Sequence, residues 1–510
     1  MAGQTFAELQ AQFRSIWPAV TLRSIGDVER TVVVVHSISM DIPDQLIPIS
    51  PAYEERFLCL VLSLLRAPRS RVVYVTSQPI HPRVADYYFS LVPELDTPEA
   101  RSRFKTVSLV DGRKEPLSRK LLTRPGAVER VRRLIGEPEV AMIIPFCMTA
   151  DEVGLAEALQ LPIYGADPAL NVLGSKTGSR GLFADEGVQH PIGLDVRGRG
   201  DLAEALAEIR GRSPSATSVV LKLDLGVSGL GNALLDLAAT ERDLEAAIEL
   251  EDEEIDVEQY LALLDEQGGI VEERIEGDDF RSPSVQLRMS PAGQVDIMST
   301  HDQVLGGANG QTYFGCQFPA DPDYAVTIAA EALKVGRRLA REGVIGRAGV
   351  DFAAVQRDGR WEPYALEINL RCGGTTHPLF ALTSLTDGAY QPLAGEWRTR
   401  NGAVKHYVAT DHLDSDAYRS LTPDDLLDVV QEKGLGWDGE REVGVVLHLV
   451  SAIAVAGRVG LTAIGDTLDE ARQRYYGVKA AVDVAASQRF GRTSASTSVT
   501  RAVDRSPRAS

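Results

Sequence analysis

The sequence predicts an α/β protein with three parts: a parallel N-terminal domain, an α+β middle region of antiparallel strands and segregated helices, and a small α/β segment near the end. Three observations point there. β-branched runs alternate with helical patterns over the first 160 residues, strand patterns dominate 270–318, and a long helical pattern at 324–342 leads into an acidic hairpin. With 510 residues, 44% of them hydrophobic, the chain has material for roughly three or four structural units.

In chain order, 31–35 is a continuous β-branched strand ending at His36-Ser37, 71–76 is a second and 140–144 a third, with helices expected at 53–65 and 127–134. The parallel domain is expected to cover 1–160. A short amphipathic helix at 201–209 leads to strands at 218–224 and 233–237, joined by a Gly-rich turn. The acidic run 249–258 reads as the solvated face of a helix with no chemical role. The middle region is expected at 161–400 and the last α/β segment at 401–487. The Ser, Thr and Arg-rich 488–510 lacks core-forming residues and is expected to be a disordered tail.

A formal charge of −19 argues against nucleic acid or an anionic membrane surface as the main partner, since both attract a cationic face. Cys59, Cys147, Cys316 and Cys372 are scattered without a C-x-x-C pair, as expected of buried free thiols. The N-terminus has no basic and apolar leader, and the longest apolar stretch, 443–457, is too short to span a bilayer and carries His448. A cytoplasmic location is expected, with no nucleic acid or membrane partner and room for a homodimer.

Five features can carry chemistry. In the hairpin, Asp351 precedes the polar turn 357–360 and Glu367 and Asn369 follow it, alternating with apolar Leu366, Ile368 and Leu370. Oxygen ligands gathered this way suit Mg²⁺, although carboxylates on a solvated strand face are equally ordinary. Lys222 precedes Gly226-Val227-Ser228-Gly229-Leu230-Gly231, whose backbone amides could approach phosphate closely. A strand follows this loop, so it is neither a dinucleotide fingerprint nor a Walker loop, and an ordinary Gly-rich hairpin remains the alternative. Gly174-Ser175-Lys176-Thr177-Gly178 is a basic turn or a helix cap. Glu272-Glu273-Arg274-Ile275, followed by Asp279, carries charge at a strand end, where exposure is the usual reason. His301, with Asp302 and Gln303, is notable only for its company.

Lys176, Lys222 with its Gly-rich hairpin, Glu272-Glu273-Arg274-Ile275, Asp351, and Glu367-x-Asn369-x-Arg371 occur in an order and spacing that resembles the ATP-grasp superfamily over 160–400. Ser77-Gln78-Pro79-Ile80, Asp86-Tyr87-Tyr88, Pro162-Ile163-Tyr164-Gly165 and Gly457-Arg458-Val459-Gly460-Leu461 make the chain similar to the pheganomycin-type peptide ligases. The resemblance implies a pre-ATP-grasp domain, an ATP-grasp domain with a mobile lid at about 185–270, and a C-terminal domain typical of that family.

It also implies roles. Lys176 and Lys222 would contact the α- and β-phosphates of ATP, and Gly226, Ser228, Gly229 and Gly231 would belong to the loop closing over them. Backbone at Glu273, Arg274 and Ile275 would hold adenine, with Glu272 at the hinge and Asp279 a candidate for the ribose hydroxyls. Arg274 stands where many relatives have an apolar or aromatic residue. Asp351, Glu367 and Asn369 would bind two Mg²⁺ ions, with Mn²⁺ as a substitute, and Arg371 would face the transferred phosphoryl group. Phosphoryl transfer to a carboxylate is mostly positioning and charge neutralisation, which such residues supply.

The activity implied is an ATP-dependent ligase joining a small-molecule carboxylate to an amine, an amino acid or peptide, through an acyl phosphate in specialised peptide metabolism. His301 or Asp302 is a candidate base for the amine. The alternatives are a catalytically silent nucleotide-binding module and a carboxylate kinase. The function also constrains the register. A plain two-residue turn at Asp358-Gly359 would set Asp351 opposite Leu366 and turn Glu367 to the other face, so an odd-length loop or a bulge near 357–361 is required.

Overall fold

The computed structural model describes residues 3–20, 29–40, 44–225, 231–238, 245–251, 254–306 and 312–503. Its first sheet is parallel, formed by β1 (Arg30–Val35), β2 (Ser70–Thr76), β3 (Phe104–Ser108) and β4 (Ala141–Pro145) in the order β3-β2-β1-β4. Val32 and Val34 pack on one side with the helix Leu58–Leu65, and Val33 and Val35 pack on the other with the helices Pro125–Leu134 and Ala150–Leu159. Both faces are covered, so β1 shows no polar alternation.

The helix expected at 53–65 is instead three pieces: Ser50–Tyr53, a 3₁₀ turn Glu54–Phe57, and Leu58–Leu65. The tighter turn presents consecutive charges to separate buried partners. A Glu54 carboxylate oxygen accepts the Ser77 N–H at 2.6 Å, and Arg56 Nη1 meets Asp411 Oδ2 at 3.1 Å.

The second sheet is antiparallel. It contains β5 (Gly193–Val196), β6 (Ser218–Leu223), β7 (Asn232–Asp236), β8 (Ile248–Leu250) and β9 (Gly269–Glu273) in the order β5-β9-β6-β7-β8. The helices Leu202–Arg212 and Val257–Gln267 cover one face, burying Leu206, Ile209, Leu261 and Leu264 against Val219, Leu221 and Leu235. The acidic run expected to be one solvated helix face is divided. Glu249 lies in β8, Glu251 is buried and accepts from the Thr312 hydroxyl, and the helix starts only at Val257, where Asp256 accepts the Gln259 N–H as its cap.

Among the described residues the third sheet has eleven strands. β10 (Asp279–Arg281), β11 (Pro283–Met289), β12 (Val295–Gly306), β13 (Thr312–Phe318), β14 (Gly346–Arg357) and β15 (Arg360–Asn369) come from the middle of the chain. β16 (Ala389–Gln391), β17 (Glu396–Arg398), β18 (Val404–Asp414), β19 (Gly444–His448) and β20 (Arg458–Gly465) complete it, with β18 hydrogen-bonded directly to β13. The helix Pro322–Arg341 packs on β11 and β12 through Ala325, Ile328, Ala332 and Val335. The last helix, Leu468–Val503, buries Val478, Val482 and Ala486 on one stripe. Its helical backbone continues through most of the segment expected to be a structureless tail, since extending a nucleated helix adds one hydrogen bond per residue.

Asp411, on β18, ties these parts together. Its carboxylate meets Arg56 from the N-terminal region at 3.1 Å and His377 Nε2, on the helix Thr376–Thr386, at 3.0 Å. Burial alone would raise its pKa, but His377 and Arg56 outweigh burial and hold it well below the usual carboxylate range. The resulting stabilisation is present at neutral pH and is lost as pH falls below the ordinary carboxylate value. Asp411→Asn leaves Arg56 buried without its counter-ion, and a loss of about 3–5 kcal/mol is expected. A downward shift in the urea midpoint checks this; an unchanged midpoint contradicts it. All four cysteines are buried free thiols, and no described helix is long and apolar enough to cross a membrane.

Candidate active site

The site is built on the β14–β15 hairpin. Asp358 and Gly359 form a two-residue turn, both with positive φ (50° and 72°), and Arg357 pairs with Arg360. By simple counting this turn sets Asp351 against Leu366, yet Asp351 pairs with Glu367. The difference is a bulge at Leu366, which lies unpaired between the Phe352–Ala365 and Asp351–Glu367 pairs. The required bulge therefore exists, but beside the carboxylates and not at 357–361. The Ala365 N–H bonds the Gln189 carbonyl at 2.7 Å.

The bulge brings the polar groups to one face. Asn369 Nδ2 donates to Asp351 Oδ2 at 3.0 Å and to Glu367 Oε1 at 3.1 Å, and Gln303 Nε2 donates to Asp351 Oδ1 at 3.0 Å. Removal from water raises Asp351 to about 6, against the pull of Lys176 and Arg371. Two carboxylates and an amide oxygen are hard donors that fit Mg²⁺. No cluster of three or more His, Cys, Asp or Glu stands ready for a metal among the described residues, so water and phosphate oxygens would complete an octahedral shell.

Lys176 opens the helix Lys176–Glu186 and forms an ion pair with Glu367. Ser175 caps this helix by accepting the Gly178 N–H, and a Cβ at position 178 would lie 1.8 Å from the Val172 carbonyl oxygen, so only Gly fits. The Ser179 hydroxyl accepts the Ile368 N–H at 3.0 Å, pinning the helix to β15. Asp224, at the end of β6, accepts from the Thr177 N–H at 2.8 Å, so both lysine-bearing elements are anchored to each other. Burial first, then the charge of Lys222, pushes the Lys176 ammonium down to about 7.

Lys222 is buried in an ion pair with Glu272, which is 2% exposed. Lys222→Met would remove the nearer of the two cations at Glu272, leaving only Arg180 at 3.9 Å, and is expected to destabilise the protein by about 1–3 kcal/mol. Adding Glu272→Gln should restore much of the melting temperature but none of the lost ATP affinity. Recovery of both would contradict a phosphate role for Lys222.

Arg371 forms no ion pair among the described residues and lines the same cavity as Asp351, Glu367 and Asn369, a space of about 170 Å³. Burial lowers its pKa, outweighing the attraction of Cys147 and Asp351. Arg347, Gly349 and Asp351 alternate along one face of β14, and all three line this cavity. Arg347, whose Nη1 is buried without a hydrogen-bond partner in the described structure, was not expected from the sequence, and Gln303 was singled out only as company for His301. The period-two spacing of 347, 349 and 351 carried the signal for Arg347.

Other expected residues fall differently. His301 pairs with Ser284, which pairs with Asp351, so it shares their row of the sheet. It is nevertheless fully buried, packed on Phe318 with Nε2 2.5 Å from the Tyr407 hydroxyl, and burial pushes its pKa down to about 3. A ring so enclosed cannot receive a proton from an amine in the cleft, which corrects its assignment as base. Asp302 accepts from the Tyr324 hydroxyl at 2.6 Å and from the Asp321 N–H at 2.9 Å, both beside the helix Pro322–Arg341.

The amides of Glu273 and Arg274 already donate to the carbonyls of Ile192 and Ser218, and the Glu273 carboxylate accepts from Ile192 N–H and the Ser213 hydroxyl. Ile275 and the hinge carbonyls are what remain for a purine. Asp279 pairs with Gln356, roughly 17 Å along β14 from Asp351 at the usual strand rise, and bonds Arg281, so it lies apart from the carboxylate cluster. Gly231, with φ 89°, ends the hairpin before β7; Gly226, Ser228 and Gly229 lie outside the described residues.

Residues 255–373 match a family model described as IQCH-like, ATP-grasp, and 425–478 match the PGM1 C-terminal domain. The chain is 30% identical over 419 residues to the L-propargylglycine--L-glutamate ligase of Streptantibioticus cattleyicolor, covering 80% of this chain and 85% of that one. It is 24% identical over 315 residues to IQ motif-containing protein H of Danio rerio, covering 54% of this chain and 29% of that one. Pyruvate carboxylase of Rhizobium etli shares the fold, with a TM-score of 0.51 at 15% identity, over 89% of this chain and 37% of the other. Identity at that level over most of the ligase, with the ATP-grasp match spanning both the hinge and the hairpin, shows that the chain belongs to the ATP-grasp superfamily, among the pheganomycin-type peptide ligases, and is an ATP-dependent enzyme forming carbon–nitrogen bonds.

Proposed function

We propose that this ligase joins the carboxylate of one amino acid, or modified amino acid, to the amine of a second amino acid or of a peptide, through an acyl phosphate. The observation that carries the reading is the convergence of Asp351, Glu367 and Asn369 on the cavity that Arg371 enters without a counter-ion. The relative from Streptantibioticus cattleyicolor is named for two amino acids, propargylglycine and glutamate.

In the first step a substrate carboxylate oxygen attacks the γ-phosphorus, the bond to the β-bridging oxygen breaks, and ADP leaves. Lys176 and Lys222 neutralise the phosphate chain, and Arg371 holds the transferred group and then the acyl phosphate. When bound at Asp351, Glu367 and Asn369, Mg²⁺ (two ions, or Mn²⁺ in its place) supplies further charge neutralisation at the phosphate oxygens. In the second step the free amine attacks the acyl carbon and phosphate departs, able to take the amine proton itself.

An acyl phosphate hydrolyses readily, so water must be kept out. The five-stranded sheet that carries Lys222 serves as the lid, closing over the nucleotide against the hairpin. Buried free thiols and a need for ATP fit a cytosolic setting. The test is incubation with Mg-ATP and pooled amino acids and peptides, reading ADP release together with masses equal to acid plus amine minus water. Hydroxylamine should trap a hydroxamate. Phosphorylated acid without any amide would favour a carboxylate kinase, and neither product would refute the reading.

A further inference from the structure

Outside the nucleotide cleft, the N-terminal region holds a cavity of about 370 Å³ at the carboxyl ends of the parallel strands. His36 and Ser39 follow β1, Ser77 follows β2, and Thr149 follows β4, and all four line it. In the order β3-β2-β1-β4 the chain runs outward from β1 to β2 and β3 on one side, then crosses back to β4 on the other side of β1. Open parallel sheets bind ligands in the crevice at such a reversal.

The lining is chemically biased. Lys120 is 2% exposed, and its ammonium donates to the Ser77 hydroxyl at 3.2 Å with no carboxylate in ion-pair contact among the described residues. Arg119 pairs with Asp151 at 3.1 Å, and Glu115 with Arg113 at 2.9 Å. Burial pushes the neighbouring Glu54 carboxyl up to about 8, against the pull of Ser77 and Lys120. His36 is 1% exposed, and neither of its ring nitrogens meets a hydrogen-bond partner in the described structure. A buried ammonium with no carboxylate in ion-pair contact and an unsatisfied buried imidazole both have room for a polar ligand.

The cavity also adjoins the catalytic cleft. The His36 ring lies 4.6 Å from that of Phe146, the Ser39 N–H donates to Cys147 Sγ at 3.4 Å, and Phe146, Cys147 and Arg371 line one common space.

We propose that this cavity binds the amine-donating amino acid by its non-reacting carboxylate, which Lys120 neutralises with Ser77 beside it. The inference rests on the ligase reading above. The carboxylate that becomes an acyl phosphate must sit at Arg371, whereas the α-carboxylate of the acceptor survives the reaction and needs a permanent cation elsewhere. His36 supplies a neutral hydrogen-bonding group within the same cavity.

The test is an NMR titration of the full chain with the common L-amino acids and the α-amides of those that bind, with and without Mg-ATP. At least one free amino acid should bind, and its α-amide should bind at least tenfold more weakly. Lys120→Met should lose at least tenfold in amino-acid affinity while keeping its ATP affinity, and Lys120→Arg should recover part of it. Ser77→Ala, a smaller change, should lose severalfold and stands in if Lys120→Met does not fold. Equal binding of acid and amide, wild-type affinity in the folded variants, or no bound amino acid overturns the proposal. Amino-acid binding of the expected kind without ADP release from any acid and amine mixture would leave the pocket standing and count against the ligase reading.

Discussion

Replacing Glu367 by Gln will lower Mg-ATP-dependent ADP release by at least about 100-fold, a rise of about 2.7 kcal/mol in the barrier. The side chain keeps its size, so the hairpin should fold unchanged, but one anionic ligand of the pair disappears and Lys176 loses its ion-pair partner. Asn369 donates to both carboxylates, so the remaining Asp351 cannot reproduce the geometry alone. Stability should hold, because Lys176 is already pushed down to about 7 and can deprotonate at modest cost. Thermal unfolding and steady-state ADP release on the same sample decide the matter. Turnover within tenfold of wild type in a folded Glu367→Gln protein would remove the hairpin from the mechanism.

Arg371→Met should lower kcat by about 100-fold to 1000-fold, the range seen when a single preorganised donor to developing charge is removed. Its effect on KM for ATP should be small, because Lys176 and Lys222, which would carry the phosphate chain, keep their places and partners. An interaction made only in the transition state lowers kcat and kcat/KM together. The variant should fold well, since it replaces a buried guanidinium with no ion pair by an apolar side chain of similar length. A large rise in KM for ATP with kcat preserved would instead make Arg371 a nucleotide-binding residue.

The site was legible in the sequence where spacing alone determines placement. Glu367 and Asn369 share a face because they are two apart, and Asp351 joins them through one bulge whose existence, though not its position, followed from the chemistry. The bulge sits at Leu366 because the Asp358-Gly359 turn satisfies the hairpin's twist and leaves the extra residue to be absorbed near Gln189, a contact between distant segments. His301 was misread for a related reason. Its strand position is right, and only the packing of Phe318 and Tyr407, from β13 and β18, closes it off.

The parallel sheet was equally plain, since runs such as 32–35 are apolar on both faces. The 3₁₀ turn Glu54–Phe57 was not, because it exists to deliver Arg56 to Asp411, which lies 355 residues away in sequence. Arg347 went unnoticed although its alternation with Asp351 was visible, because an arginine beside Gly346 and Gly349 reads as an exposed strand end until the cavity is seen.

The bonding of β18 to β13 bears on how the chain can be cut. Gly315, Cys316, Gln317 and Phe318 pair with residues 407–410, so a protein ending near residue 400 would retain the hairpin and both lysines yet expose β13 as a long unpaired edge. Phe318 would lose its stacking partner Tyr407, 4.6 Å away, and the His301 ring its hydrogen bond to the Tyr407 hydroxyl. Unpaired strand edges recruit other chains. The nucleotide-binding region is therefore not a separable module: its solubility depends on strands contributed by the last hundred residues, and a shortened form should self-associate before it can be assayed.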